Sequence, residues 1–162
     1  MGELNLSFRE MTDKEFEKFV ENSVLDYSKD LIKSGLCSEE NAFDSAKKQF
    51  NDLLPQGKYT ENNFIYVAVN SDHEDVGIIW YNKHSEGVAF ICDFLIFENF
   101  RKKGYGKQTL LLLDSDAKEK GFTKILLHVF RFNKTAFSLY DSIGYKVVKE
   151  DGGSIYMVKD LF

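Results

Sequence analysis

The sequence is poor in cysteine and proline, and it has no long uninterrupted apolar segment. Its two cysteines, Cys37 and Cys92, lie far apart without Cys-x-x-Cys spacing, as is usual for free thiols in the cytoplasm. The three histidines show no metal-ligand spacing either, so we expect no metal. Charges throughout the N-terminal segment argue against a signal peptide or a membrane span there. We therefore expect a cytoplasmic protein that does not enter a membrane.

Positive charge is also scarce. The chain has 21 lysines and arginines and 26 acidic residues, which gives a formal net charge of −5. Nucleic acids and anionic lipid surfaces repel an acidic chain, so we expect neither as a partner. Apolar residues make up 43% of the chain, which is enough for a hydrophobic core. No linker or internal repeat is visible, and 162 residues suit one domain spanning 1–162.

The spacing of apolar residues changes along the chain from a helical period to a strand period. Thr12 and Glu15 form a capping box that predicts a helix ending at Gly35, and Ser38 begins a second helix that ends before Pro55. The buried stripe predicted for the second helix is Ala42, Phe43, Ala46, Phe50 and Leu53. The predicted strands span residues 4–8, 64–69, 76–81, 88–97, 124–130, 145–150 and 154–159, and two further helices span 104–120 and 133–143.

The order of these elements predicts a mixed α/β sheet of seven strands with four helices. The three strands between residues 64 and 97 are joined by short turns, which favours an antiparallel meander whose third, most apolar strand is central. The strand–helix–strand unit that follows implies a parallel pair formed by a right-handed crossover. His73 and His84 fall in predicted turns, where we expect them to be solvated.

One strand-to-helix junction, FENFRKKGYGKQTLLLL, concentrates positive charge around two glycines. Backbone N–H groups and the dipole at a helix start favour an anion, and glycine lets a phosphate approach the backbone. The segment lacks the third glycine of a dinucleotide fingerprint and does not fit the Walker pattern. The residues alone therefore leave two interpretations, an anion site or a turn that needs glycine for its geometry.

A second segment, NKTAFSLYDSIGY, predicts a short capped helix. Asn133 is its N-cap and Gly144 ends it. One face carries Ala136, Leu139, Tyr140 and Ile143. These residues could all be core and cap residues, although a buried tyrosine can also supply a phenolic proton.

Together the two segments resemble the GNAT family of N-acetyltransferases. The loop RKKGYG matches the family's [QR]xxGx[GA] pattern, and NKTAFSLYDSIGY matches NxxAxxLYxxxG[FY] at every defined position. The run that begins at Asp93 resembles the strand before the loop in this family. The resemblance covers nearly the whole chain. It implies the family's fold, a mostly antiparallel sheet whose central parallel strands splay apart.

The resemblance also implies a reaction, the transfer of an acetyl group from acetyl-CoA to an amine without an acyl-enzyme. Tyr140 would then protonate the departing CoA thiolate, and Asn133 would contact the pantetheine arm. The rest of that arm would bond to the backbone of Phe94, Leu95 and Ile96. The pyrophosphate would lie on the backbone of Arg101, Lys102, Lys103, Gly104, Tyr105, Gly106 and Lys107, with Gly104 and Gly106 allowing its approach.

The group that deprotonates the amine is left open at this stage. Asp93 is the first candidate, because a carboxylate in an apolar strand needs a partner or a purpose, and a structural role is the alternative. Strand alternation places Asp93 on the face opposite Cys92 and Phe94, unless a bulge intervenes. Glu98, His128 and water are the other candidates.

Acidic and aromatic residues on the first two helices and the loop after them would suit a cationic acceptor, and a solvated helix surface is the alternative interpretation. These residues are Glu17, Glu21, Asp26, Tyr27, Asp30, Glu39, Glu40 and Tyr59. Exposed aromatic surface on the first helices or the last hairpin could also pair two chains into a homodimer. The alternative to an enzyme is a non-catalytic module that keeps the fold and CoA binding but acts as a sensor or a partner-binding subunit.

Overall fold

The computed structural model of the protein describes residues 5–162. The first strand, β1, spans Ser7–Glu10 instead of the predicted 4–8, and Leu4 lies outside the described residues. Helices α1 (Asp13–Lys33) and α2 (Glu39–Leu53) follow. The predicted capping box is confirmed, because the Glu15 N–H donates to Thr12 Oγ1 and the Thr12 N–H donates to Glu15 Oε1.

The remaining elements also occur in the predicted order. They are β2 (Asn63–Val69), β3 (Asp75–Ser85), β4 (Val88–Ile96), α3 (Tyr105–Glu119), β5 (Lys124–Phe130), α4 (Lys134–Ser142), β6 (Lys146–Asp151) and β7 (Ser154–Asp160). The boundary of β3 was also wrong, since this strand continues four residues past its predicted end and pairs with β4 as far as Ser85. His84 therefore lies in a strand, stacked on Phe90, rather than in a turn.

The strands form one sheet in the order β1-β2-β3-β4-β5-β7-β6. Every neighbouring pair is antiparallel except β4 and β5, which are parallel and joined through α3. This arrangement confirms the predicted mixed fold of seven strands and four helices. No helix between residues 5 and 162 is both long and apolar enough to cross a membrane.

Two hydrophobic clusters cover the two faces of the sheet. One packs α1 and α2 against residues such as Ile65 and Trp80, and the other packs α3 and α4 against residues such as Ile79 and Tyr81. In α2, Ala42, Ala46 and Phe50 are buried as predicted. The prediction was wrong for Phe43 and Leu53, which are 47% and 41% exposed. The buried stripe repeats every four residues and is narrower than the predicted one.

Candidate active site

The parallel pair β4–β5 is paired along only part of its length. Its register begins at Val88 and Lys124 and ends at Ile91 and Leu127, although both strands continue beyond that point. On its other side β4 stays paired with β3 as far as Ile96. Within residues 5–162, the β5-facing edge of residues 92–96 therefore has no strand partner. The Phe94 N–H is bonded to Asp93 and the Ile96 carbonyl accepts from Arg101, and the remaining backbone groups on this edge can pair with a ligand.

A β-bulge lies where this gap opens. Asp93 is opposite Trp80 and Ile91 is opposite Tyr81, so Cys92 is an extra residue on β4. Cys92 packs with the α1–α2 cluster, Asp93 bonds to α1, and Phe94 packs with the α3–α4 cluster. Asp93 is thus on the face opposite Phe94, as alternation predicts, but on the same face as Cys92. That second assignment was wrong because of the bulge.

Asp93 has two hydrogen-bond donors although it sits in an apolar strand. Ser23 Oγ on α1 donates to Asp93 Oδ2 at 2.8 Å, and the Phe94 N–H donates to Asp93 Oδ1 at 2.9 Å. Burial raises the pKa of the Asp93 carboxyl, and the charges of Asp26 and Asp30 raise it further. The two hydrogen bonds lower this pKa, but the net shift is upward. The carboxyl is therefore held in place by partners, and its proton affinity is above that of an ordinary aspartate.

Tyr140 lies on the buried side of α4, and only 7% of it is exposed. Burial raises the pKa of the Tyr140 hydroxyl, and the Asp93 carboxylate raises it further. The two groups are therefore close enough for their charges to interact. A phenol with a raised pKa keeps its proton throughout the neutral range, which is the state that an acid needs.

Tyr145 packs against Tyr140 and is itself only 1% exposed. The Tyr145 N–H donates to the Tyr140 carbonyl at 3.1 Å, and the two rings meet edge to face with centroids 5.7 Å apart. Next to Tyr145, Lys159 Nζ lies 2.5 Å from Asp114 Oδ2, and both side chains are mostly buried. This packing fixes the ring of Tyr140.

The glycine loop leads from a short 3₁₀ helix, Glu98–Phe100, into α3. Lys102 has φ of 60° and Gly104, the N-cap of α3, has φ of 88°, so the chain turns through two left-handed residues. No side chain caps this end of α3. Its first N–H groups are therefore open to an anion. Within residues 5–162 no carboxylate forms a salt bridge with the four cations of the loop, Arg101, Lys102, Lys103 and Lys107.

Gly106 has a packing role that the sequence did not indicate. A Cβ at this position would lie 3.2 Å from Leu139 Cδ2 and 3.7 Å from Phe94 Cζ. The glycine therefore lets the start of α3 approach α4 and β4. At the end of β4, Arg101 Nε donates to the Ile96 carbonyl at 2.8 Å and ties the loop to its strand.

The predicted cap of α4 is confirmed, because Asn133 Oδ1 accepts from the Ala136 N–H at 3.2 Å. Asn133 is exposed, and it lies three residues after the end of β5. The cap uses its carbonyl oxygen and leaves its amide N–H₂ for another partner.

The other two candidate bases lie in different surroundings. Glu98 is exposed on the 3₁₀ helix beyond the end of β4. His128, on β5, is half-buried between the rings of Phe130 and Tyr156, with centroids 4.7 and 5.1 Å away. Burial lowers the pKa of His128, so its imidazole is neutral at pH 7 and can accept a proton.

Some of the acidic and aromatic residues that were predicted to contact the acceptor lie beside this site. The Tyr27 ring is 6.4 Å from the Phe130 ring, and Asp26 and Asp30 act electrostatically on Asp93. Burial and the Asp26 charge raise the pKa of Asp30. Other residues of this predicted set are solvated. Glu17, Glu21, Glu39, Glu40 and Tyr59 are all exposed.

Two open pockets are found on the surface. One of about 370 Å³ is lined by Phe64, Lys120 and Phe122 near the far end of α3, and one of about 250 Å³ lies between α1 and α2 beside Leu31 and Gln49. Neither includes the glycine loop or Tyr140. An extended ligand added along a strand occupies an open groove, so the gap beside β4 is the candidate site although it is not a closed cavity.

Comparison with known proteins identifies the family of the chain. The family model for the acetyltransferase (GNAT) family matches residues 31–145, more than half of the chain. The N-acetyltransferase YdgE of Bacillus subtilis, itself uncharacterized, is 34% identical over 142 residues, which cover 86% of this chain and 90% of YdgE. YycN of the same organism, also uncharacterized, is 34% identical over 139 residues, which cover 84% of this chain and 89% of YycN.

Solved structures share the fold. The crystal structure of YycN from Bacillus subtilis superposes with a TM-score of 0.87 at 32% identity, covering 91% of this chain and 96% of that one. The PaiA N-acetyltransferase of Thermoplasma acidophilum, solved in complex with coenzyme A, superposes with a TM-score of 0.70 at 22% identity, covering 96% and 99%. The protein belongs to the GNAT family of acetyltransferases, and its reaction is acetyl transfer from acetyl-CoA.

Proposed function

We propose that the protein acetylates an amine by direct attack of the amine nitrogen on the thioester of acetyl-CoA, within the β4–β5 gap. The observation that carries this proposal is the unpaired edge of β4 between the glycine loop and Tyr140. The pantetheine arm would pair with the backbone of Phe94, Leu95 and Ile96, as an added strand does. The pyrophosphate would accept from the N–H groups at the start of α3.

The proposed step forms a C–N bond and breaks the C–S bond of the thioester. The departing thiolate takes the proton of the Tyr140 hydroxyl, and the Tyr140 phenolate takes the proton that the nitrogen loses as the amide forms. Burial raises the pKa of Tyr140, but a desolvated thiolate is also more basic than one in water, so the transfer stays feasible. Direct attack is supported by Cys92, because burial raises the pKa of its thiol far above the usual range and keeps it a poor nucleophile.

Asp93 is the group that we propose as the acceptor of the amine proton. An amine such as lysine has a pKa near 10.4 and must lose a proton before it attacks. Asp93 is held by Ser23 and the Phe94 N–H, and its raised pKa makes it a better base than a solvated carboxylate. His128 is the second candidate, because it is neutral and half-buried.

The acceptor that fits this site best is an amine with a second positive charge. Asp26 and Asp30 are close enough to Asp93 to raise its pKa, and an acidic wall of this kind attracts a dication more strongly than a monocation. The Tyr27 and Phe130 rings could contact its alkyl chain or its cationic end. We also propose that the protein acts in the cytoplasm, because both Cys37 and Cys92 are free thiols.

The test has two stages. Calorimetric titration with acetyl-CoA, with ATP and NADH as controls, should give selective binding at one site per chain. Thiol release is then followed with a linear diamine, a neutral-tailed monoamine of equal length and an amino acid. The diamine should give the highest kcat/KM. Absence of acetyl-CoA binding contradicts the site, whereas binding without thiol release for any amine contradicts the catalytic proposal and favours a sensor.

A further inference from the structure

The turn between β2 and β3 contacts the first residue of α3, and the contact is made by one buried side chain. Asn70 directly follows β2 and is 7% exposed. Its Nδ2 donates to Tyr105 Oη at 3.2 Å across 35 residues of sequence, and also to Glu74 Oε1 at 3.0 Å. Its Oδ1 accepts from the N–H groups of Asp72 and Glu74 at 3.0 and 2.9 Å. Both donors and the acceptor of the amide are therefore used.

Tyr105 occupies the helix position at which an anion would bind. It is the first residue of α3, so its N–H is one of the groups without a partner inside the helix. Its ring meets the Phe100 ring edge to face, with centroids 5.9 Å apart. Between these two residues, Arg101, Lys102, Lys103 and Gly104 are all exposed. The Tyr105 side chain thus anchors the end of the loop that leads into the helix, and the Arg101 bond to Ile96 anchors the other end.

We propose that Asn70 is a positioning residue for the cofactor loop, acting through the Tyr105 hydroxyl to hold the N–H groups of α3 in the orientation that binds the CoA pyrophosphate. A loop held in its binding conformation does not have to be ordered when the ligand arrives, and this raises affinity. The inference rests on the proposed site for acetyl-CoA. It adds a residue from outside both sequence motifs, on the turn that follows β2.

Tyr105→Phe is the sharpest test, because it removes one oxygen and keeps the ring against Phe100. Loss of one neutral hydrogen bond should raise the calorimetric Kd for CoA about threefold to tenfold. The matched control is Tyr66→Phe. Tyr66 Oη accepts from Lys120 Nζ at 3.0 Å, and Lys120 lies beyond the far end of α3, about 22 Å from Tyr105 along the helix axis. This control should leave the Kd unchanged.

A second substrate separates positioning from general loss of structure. The acetyl thioester of pantetheine lacks the pyrophosphate, so the fall in kcat/KM caused by Tyr105→Phe should be much smaller with it than with acetyl-CoA. Equal losses with both substrates overturn the inference, and so does an unchanged Kd for CoA in Tyr105→Phe. If the wild-type chain itself does not bind CoA, the proposed site fails and the inference fails with it. These outcomes are therefore distinguishable.

Discussion

Gly77→Ala should disturb both the stability of the sheet and the strand that we propose for pantetheine binding. Gly77 is on β3 opposite Ile96 of β4. A Cβ at Gly77 would overlap the carbonyl oxygen of Leu95 and would lie 2.9 Å from Ile96 Cδ1 and 3.3 Å from Ile96 Cα. Non-bonded heavy atoms prefer separations of about 3.5–4.0 Å, so β4 must move away from β3. The Ile96 side chain can rotate away, but the Leu95 carbonyl moves only with its strand.

The expected cost is that of overpacking, about 1–3 kcal/mol in the free energy of unfolding. For a domain of this size each 1 kcal/mol lowers the melting temperature by roughly 2–4 °C, so a fall of about 2–12 °C is expected. The displaced segment carries the backbone groups of Leu95 and Ile96, so the Kd for acetyl-CoA should rise as well. Urea denaturation measures the first effect and calorimetric titration measures the second.

Gly153→Ala is the matched control, because a Cβ there would lie an ordinary 3.7 Å from the Ser34 carbonyl and the residue lacks a positive φ. It should change neither quantity by more than experimental error. A Gly77→Ala variant with wild-type stability and wild-type affinity would refute the close approach of β3 to β4 and its link to the site.

Three further changes test the groups around the gap. Tyr140→Phe should lower kcat for thiol release about 10²–10⁴-fold with little change in the Kd for CoA, because only the acid is removed; an unchanged kcat would exclude Tyr140 from the reaction. Asp93→Asn should lower kcat, yet it should raise the melting temperature at pH 7. The raised pKa of Asp93 means that its charged form opposes folding, so this gain should vanish below about pH 4, where the unfolded and folded carboxyls are both protonated. A gain that persists at low pH would contradict this assignment. Lys159→Met should lower the free energy of unfolding by about 3–5 kcal/mol, because Asp114 would be left buried without its cation, and Asp114→Leu in the same chain should restore most of the loss in urea denaturation.

Local patterns predicted the parts of the fold in which neighbours along the chain decide the structure. The capping box at Thr12, the cap at Asn133 and the helix face with Tyr140 depend on residues three or four positions apart, so their spacing is visible in the sequence. The same holds for the turn at Gly104, where the left-handed φ favours glycine.

The contacts that arrange the candidate site could not be predicted, because they join distant segments. Ser23 reaches Asp93 across 70 residues, and no pattern on α1 marks this serine. The bulge places Cys92 on the same face as Asp93, and a strand pattern with period two cannot show an inserted residue. Phe43 was predicted to be buried because it is apolar, but packing against the sheet uses only every fourth residue of α2.

The gap in the β4–β5 ladder gives the free protein a sheet edge in the middle of its sheet. The peptide groups of residues 92–96 on that side resemble those of an outer strand, which can recruit a foreign strand when they are left uncovered. Substrate that covers them should slow amide hydrogen exchange in this segment and should also protect the protein from aggregation on heating. In a cell, the supply of acetyl-CoA would then help to determine how long the enzyme lasts as well as how fast it works.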